Sequence, residues 1–157
     1  MKIKMLVMDV DGTLTDGRIY MGNAGEQMKA FNAKDGYAIA NMLPQMGIIP
    51  VIITGRASSI VQNRARELHI TELFQGIGDK LMTLRQVAER YHLQPEEIAY
   101  MGDDLNDLEC MHFCGYTACP RDAAGALTRY VDFVSRYDGG SGAVREFIEK
   151  LSEMMQE

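Results

Sequence analysis

Short, nearly continuous apolar runs alternate along the chain with longer segments whose apolar residues recur every three or four positions. The runs have the length and β-branched content of buried strands, and the longer segments have the period of amphipathic helices. The pattern predicts strands at 3–10, 48–53, about 73–74, 98–101, 116–118 and near 131–134. It predicts helices at 35–46, about 58–68, 80–91, 105–114, 123–127 and 143–155. This alternation predicts an α/β fold, a parallel sheet with helices on both faces.

One segment departs from this alternation. The turn-forming run 22–25 lies between two strand-like flanks, which predicts a β-hairpin inserted at about 17–31. Gly47 directly follows the helical segment 35–46, as expected of a C-cap. The length of 157 residues corresponds to one domain. We therefore expect a single domain over 1–157.

Composition excludes several classes of protein. Hydrophobic residues make up 46% and charged residues 24%, which are ordinary values for a folded domain. The net charge of −6 argues against broad binding to nucleic acid or to an anionic membrane. The apolar run 5–8 is stopped by an acidic residue and is too short for a signal peptide or a membrane span.

The three cysteines raise the alternative of a zinc site. Cys110, Cys114 and Cys119 lie close together with His112 among them. They contain no C-x-x-C pair, so reduced core thiols are the better interpretation. Reduced thiols in turn indicate a cytoplasmic protein.

Polar residues follow three of the predicted strands at the point where each strand ends. In a parallel sheet these ends share one edge, where ligands bind. The clusters are Asp9, Asp11 and Thr13; Thr54 and Gly55; and Gly102, Asp103, Asp104 and Asp107. One acidic pair could be a helix cap, but three clusters at equivalent positions indicate a site.

These residue types suit phosphate chemistry. Asp9 and Asp103 would repel each other unless a cation lay between them, and Mg²⁺ prefers such oxygen ligands. Lys80 could supply a second positive charge, and the Thr54 hydroxyl could hold phosphate oxygens at the start of a helix. Taken alone, Lys80 could be a surface lysine and Thr54 an N-cap.

The same residues carry a resemblance to a known family. Residues 9–15 match the DxDGT motif of the haloacid dehalogenase (HAD) phosphatases. Thr54 with Gly55, then Lys80, then residues 102–107 match that superfamily's second, third and fourth motifs in order. The resemblance covers nearly the whole chain and implies a Rossmann-like HAD fold.

The resemblance also implies roles for the acidic residues. Asp9 would be the nucleophile that forms an aspartyl phosphate, and Asp11 would be the general acid and base. The metal ligands would be Asp9, the main-chain carbonyl of Asp11, and Asp103. Asp104 and Asp107 would orient the metal ligands without binding the metal directly, although one of them could contact it through a water molecule.

The other motif residues would complete the site. Thr54 and Lys80 would belong to the catalytic set, and Thr13 and Gly55 would contact the substrate. Between Asp9 and Thr54 there is room only for the hairpin and one helix, and between Thr54 and Lys80 only for one helix and a strand. No cap domain fits, so the crevice would stay open unless another subunit covered it.

A finer resemblance concerns the residues around the motifs. Asp16 with Gly17, the stretch 31–36 and the stretch 139–146 are similar to the 3-deoxy-D-manno-octulosonate 8-phosphate phosphatases. This resemblance implies a sugar phosphate substrate from lipopolysaccharide precursor synthesis. It also implies a homotetramer joined through the hairpins, with each site completed by a neighbouring subunit and the C-terminal tail.

Basic residues are the candidates for recognising the sugar acid. The sister family, which acts on a nine-carbon 9-phosphate, typically has Thr-Gly-Glu in the second motif and a lysine farther along the helix. This chain has Arg56 and Glu67 instead. We expect Arg56, Arg64 and Lys34 to bind the substrate, although Arg64 could equally lie on a solvated helix face.

Three alternatives stay open at this point. The substrate could be the nine-carbon ester. The domain could be a non-catalytic, tetramer-forming relative of those fused to cytidylyltransferases, although the full motif set argues against this. An open crevice would also admit histidinol phosphate or a phosphoprotein.

Overall fold

The computed structural model of the protein describes residues 2–157. Its strands are β1 (Met5–Met8), β2 (Tyr20–Gly22), β3 (Gly25–Met28), β4 (Ile49–Ile53), β5 (Glu72–Phe74), β6 (Ile98–Met101), β7 (Tyr116–Cys119) and β8 (Phe133–Val134). Its α-helices are α1 (Ala33–Tyr37), α2 (Leu43–Met46), α3 (Ser59–Glu67), α4 (Lys80–Arg90), α5 (Leu108–Phe113) and α6 (Ala143–Gln156). None of the helices in this part of the chain combines the length and apolar character needed to cross a membrane.

Six strands form one parallel sheet in the order β5-β4-β1-β6-β7-β8. All four residues of β1 are buried, because helices cover both faces of the sheet. Leu6 and Met8 belong to the core on one face, whereas Met5 and Val7 belong to the core on the other. The predicted α/β architecture is therefore confirmed, and no cap domain is inserted between the described elements.

The predicted hairpin is also present. β2 and β3 pair antiparallel across a tight turn and form a sheet of their own. Ile19, Met21 and Met28 expose 38%, 62% and 53% of their surface, so the hairpin presents apolar side chains to solvent. A two-stranded sheet of this kind is marginally stable by itself.

The predicted helix at 35–46 differs in detail. It begins earlier, because the Asn32 side chain accepts the N–H groups of Lys34 and Asp35 and caps α1. A π-helical segment, Ala38–Met42, then separates α1 from α2. Pro44 has no N–H to donate to the carbonyl four residues earlier, which interrupts the α-helical hydrogen bonds and explains the π-helical segment. Gly47 ends α2 in the left-handed region with φ 70°, as predicted.

The prediction of a helix at 123–127 is wrong. That segment forms turns, and a short 3-10 helix follows at Thr128–Tyr130. The N–H of Ala124 donates to the carbonyl of Asp103 at 2.8 Å, so a tertiary contact takes the place of a helical one. The predicted helix at 105–114 begins as a 3-10 turn, Leu105–Asp107, before α5.

The segment that precedes α6 packs against the loop after β1. The N–H of Gly140 donates to the carbonyl of Thr13 at 3.2 Å. A Cβ atom on Gly139 would lie 2.0 Å from the carbonyl oxygen of Gly12. Only glycine allows two backbones to approach this closely.

The start of α6 is capped by a residue from α1. Gly142, the N-cap, has no side chain to offer, and Asp35 accepts the N–H of Arg145 through Oδ1 at 2.9 Å. The other oxygen, Oδ2, is buried without a hydrogen-bond partner. Burial raises the pKa of Asp35 to about 6, although the hydrogen bond from the N–H of Arg145 and the charges of nearby arginines oppose the shift.

Candidate active site

The ends of β1, β4 and β6 meet at one edge of the sheet, because these strands are neighbours. A crevice of about 210 Å³ opens there. Its lining residues are Asp9, Asp11, Thr54, Gly55, Arg56, Asp103, Asp104 and Asn106. All except Asn106 belong to the predicted set of site residues, so the structure brings seven of them together.

The loop after β1 shapes one wall of the crevice. The carbonyl oxygen of Val10 accepts three successive N–H groups, those of residues 13–15, which curls the chain tightly. Gly12 has φ +89°, and a Cβ atom there would lie 1.9 Å from Oδ2 of Asp103. Gly12 is therefore required both by its backbone conformation and by the approach of Asp103.

Asp9 is buried beside the ammonium group of Lys80. The Nζ atom of Lys80 lies 3.2 Å from Oδ1 of Asp9, and the same oxygen accepts the N–H of Val10 at 2.8 Å. Burial and the carboxylate of Asp107 raise the pKa of Asp9, whereas Lys80 opposes this shift. Burial by itself lowers the pKa of Lys80, but Asp9 and Asp107 outweigh it, so that pKa is raised.

Asp107 is fully buried and anchors the groups around it. Its Oδ1 accepts from the Tyr100 hydroxyl at 2.6 Å and from Lys80 at 2.9 Å. Its Oδ2 accepts the N–H groups of Asp103 and Asp104 at 3.0 and 3.4 Å. Burial, followed by the charge of Asp107, raises the pKa of Tyr100 well above its usual value, so Tyr100 remains a donor. Asp107 thus orients Lys80 and the loop that carries Asp103.

The carboxylates of Asp9 and Asp103 fit a divalent cation. Asp9, Asp103 and Asp107 each place an oxygen within 4.8 Å of the others. Four donors already occupy both oxygens of Asp107, which leaves Asp9 and Asp103 to hold the ion. Burial, then Asp9 and Asp107, raises the pKa of Asp103 to about 8. A cation would relieve this repulsion, and Mg²⁺ suits carboxylate ligands beside open space for water and phosphate.

The remaining motif residues take different places. Thr54 is buried at the end of β4, and Gly55 and Arg56 line the crevice beyond it. Thr13 does not line the crevice; its hydroxyl lies 3.5 Å from Oδ1 of Asp103. Thr13 therefore lies beside a carboxylate of the site, and its contact with the substrate stays a prediction.

Two predicted substrate-binding residues lie outside the crevice. Arg64 turns toward α1, where its guanidinium lies 5.4 Å from the centre of the Phe31 ring and 3.4 Å from the carbonyl of Asn32. Gly36 leaves room for it, since a Cβ atom there would lie 2.4 Å from Nη2. Lys34 lines a separate crevice beside the start of α6. The sequence suggests their charge but not these packing contacts.

Two residues of the hairpin reach the site without having been predicted. The Nζ atom of Lys29 lies 2.5 Å from Oδ1 of Asp11 and 3.0 Å from Oε2 of Glu26. The Lys29 side chain is only 2% exposed. Charges at positions 26 and 29 look like those of any solvated strand, and no spacing in one sequence distinguishes them.

The cysteines take no part in this crevice. Cys110, Cys114 and Cys119 are free thiols, and Cys110 and Cys119 are buried in the core. Burial raises the pKa of Cys110 to about 12 and that of Cys119 to about 11, so both remain protonated thiols.

Comparison with known proteins identifies close relatives. Residues 69–148 match the haloacid dehalogenase-like hydrolase family. The chain is 45% identical over 149 residues to the 3-deoxy-D-manno-octulosonate 8-phosphate phosphatase KdsC of Escherichia coli (strain K12), covering 95% of this chain and 79% of the relative. The structure of the corresponding Yersinia pestis phosphatase superposes with a TM-score of 0.94 at 42% identity, covering 98% and 83% of the two chains. The Moraxella catarrhalis phosphatase, solved with a magnesium ion, a phosphate ion and a KDO molecule, gives 0.91 at 38% identity and covers 96% and 86%.

Proposed function

The chain belongs to the haloacid dehalogenase-like hydrolase family, and we propose that it hydrolyses 3-deoxy-D-manno-octulosonate 8-phosphate to the free sugar acid and inorganic phosphate. The observation that carries this proposal is the single crevice that joins Asp9, Asp11, Thr54 and Asp103, in a chain so similar to phosphatases of that name. The reaction would serve lipopolysaccharide precursor synthesis in the cytoplasm. We also propose that the chain forms a single domain spanning 1–157.

The chemistry proceeds in two steps. An oxygen of Asp9 forms a bond to phosphorus while the bond from phosphorus to the sugar oxygen breaks, and Asp11 gives its proton to that oxygen. Asp11 then takes a proton from water, whose oxygen bonds to phosphorus as the bond to Asp9 breaks. Phosphate leaves, and both carboxyl groups return to their starting states.

The surrounding residues prepare Asp9 for the first step. Lys80 holds one carboxylate oxygen at 3.2 Å, which leaves the other oxygen to attack. Thr54 binds phosphate oxygens at the end of β4. Asp9, Asp103 and the main-chain carbonyl of Asp11 would hold Mg²⁺, whose positive charge would offset the repulsion between the nucleophile and the phosphate.

Arg56 is the residue that we assign to substrate choice. Its side chain is 48% exposed and lines the crevice, with Nε 3.9 Å from Oδ2 of Asp11. Its guanidinium can therefore meet the hydroxyl-rich or anionic part of a sugar acid. A glutamate at this position would repel the carboxylate of the same substrate.

The test is kcat/KM for the eight-carbon 8-phosphate and the nine-carbon 9-phosphate, with the wild type and Arg56→Glu. Wild type should prefer the eight-carbon ester, and the variant should lose about 1–3 kcal/mol of that preference, the scale of a charged hydrogen bond. Arg66→Glu, which changes an exposed arginine on α3, is the matched control and should leave the ratio unchanged. A wild type that prefers the nine-carbon ester would refute the substrate assignment but not the phosphatase reaction.

We further propose that the protein is a homotetramer joined through its hairpins, with each crevice completed by a neighbour. Support comes from the exposed apolar side chains of Ile19, Met21 and Met28 on an otherwise marginal two-stranded sheet. Light scattering at micromolar concentration should give a molecular mass four times that of the chain, and Met21→Glu should lower this measured mass. A monomer at every concentration would contradict the assembly.

A further inference from the structure

Asp11 and three charged groups beside it form a ring in which the charges alternate in sign. Lys29 contacts Oδ1 of Asp11 at 2.5 Å and Oε2 of Glu26 at 3.0 Å. Oε2 of Glu26 also lies 3.5 Å from Nη2 of Arg56, and Nε of Arg56 lies 3.9 Å from Oδ2 of Asp11, which closes the ring. Each oxygen of the Asp11 carboxyl group therefore faces a different cation.

The two cations are not equivalent. The Lys29 side chain is 2% exposed and the Arg56 side chain is 48% exposed. A buried ammonium group is costly unless its partners are fixed, so Lys29 is held firmly between Asp11 and Glu26. Arg56 lies farther from Asp11 and lines the crevice, where it can also meet a ligand. Lys29 is therefore the contact that fixes the orientation of Asp11.

We propose that Lys29, supported by Glu26, is a positioning residue for proton transfer by Asp11, an inference that rests on the proposed phosphatase function. Lys29 occupies Oδ1 and so leaves Oδ2, on the crevice side next to Arg56, to exchange the proton. Lys29 directly follows β3, and Glu26 lies on β3. The hairpin thus contributes two side chains to the active site of its own chain.

A purely mechanical role for Lys29 is the competing interpretation. The lysine could simply fasten the hairpin to the body of the protein, in which case its loss would affect all substrates alike. Proton transfer predicts a difference between leaving groups. The sugar oxygen of an alkyl phosphate must be protonated as it leaves, whereas p-nitrophenolate leaves without a proton.

The experiment compares 3-deoxy-D-manno-octulosonate 8-phosphate with p-nitrophenyl phosphate in wild type and Lys29→Met. For the sugar ester, kcat/KM should fall about 100-fold, the scale expected when an acid catalyst is misplaced. For the aryl ester, kcat/KM should fall less than about 10-fold, because its first step needs no acid. Since Asp11 is also the base in the second step, the variant should release a burst of p-nitrophenolate equal to the enzyme concentration.

Matched variants separate the interpretations. Lys29→Arg keeps a cation between Asp11 and Glu26 and should recover most of the loss on the sugar ester. Lys4→Met is the control, because it removes a lysine paired with Glu97 next to the opposite end of β1. If Lys29→Met fails to fold, Lys29→Met with Glu26→Gln, which leaves one unpaired carboxylate fewer, takes its place.

Equal losses on both esters, without a burst, would overturn the positioning role. A rise in KM alone for both esters would instead make Lys29 a substrate-binding residue and would also overturn it. A wild type that hydrolyses neither ester would refute the proposed function itself. Failure of the positioning role of Lys29 can therefore be distinguished from failure of the proposed phosphatase function.

Discussion

Replacing Asp35 by asparagine should stabilise the protein above pH 6. Asp35 is 2% exposed, and its Oδ2 is buried without a donor. Asparagine keeps an acceptor for the N–H of Arg145 and mimics the protonated acid at Oδ2. The variant should therefore resemble the low-pH form of the wild type at every pH.

The direction and size follow from the pKa of Asp35. Burial raises the pKa from 3.8 in the unfolded chain to about 6 in the folded one, so the folded state holds the proton more tightly. The stability that this protonated carboxyl group contributes is thus fully present below pH 3.8 and is lost as the pH rises through 6. A difference of about 2 in pKa corresponds to about 3 kcal/mol, so Asp35→Asn should exceed the wild type by about that amount at pH 7.5 and by nothing near pH 4.

Urea unfolding of both proteins at several pH values between 4 and 8 measures this difference. Asp138→Asn is the matched control, because Arg121 holds the pKa of that exposed carboxylate below its usual value. The control should gain no stability as the pH rises. A difference between wild type and Asp35→Asn that stays constant from pH 4 to pH 8 would refute the reasoning.

The other predictions concern the crevice directly. Asp9→Asn should abolish phosphate release while circular dichroism shows an intact fold, since an amide is a poor nucleophile; turnover near that of wild type would exclude Asp9. A chelator should abolish activity and Mg²⁺ should restore it, and full activity in a demonstrably metal-free preparation would contradict the ion site. Gly12→Ala should cost about 1–2 kcal/mol for its positive φ, and it should weaken Mg²⁺ binding by displacing Asp103. Calorimetric titration with Mg²⁺ tests this, and unchanged affinity would count against it.

The core of the site could be predicted because it follows a topological rule. Asp9 and Thr54 come directly after an apolar run, Asp103 comes one residue after another, and parallel strands bring such positions to one edge. The apolar runs are short and continuous, so the strand ends are visible in the sequence. Lys80 could be predicted from its motif, and its burial between Asp9 and Asp107 gives that motif a physical reason.

What could not be predicted depends on contacts between distant segments. Lys29 is buried only because the hairpin folds back over Asp11, and no local pattern specifies that angle. Arg64 faces α1 because the absent side chain of Gly36 makes space for it. The wrong helix at 123–127 has the same origin, since a hydrogen bond to the loop after β6 replaces a local one.

The two carboxyl groups of the reaction are held in place by parts of the molecule with very different resistance to local opening. Asp9 follows β1, which is fully buried inside the sheet, where amide protons should exchange only when the whole domain unfolds. Asp11 is steadied by a two-stranded hairpin that should open at far lower free energy. Mild warming or denaturant should therefore impair protonation of the leaving group while the nucleophile is still in place. The protein would then become selective for esters that leave without help before it lost its fold.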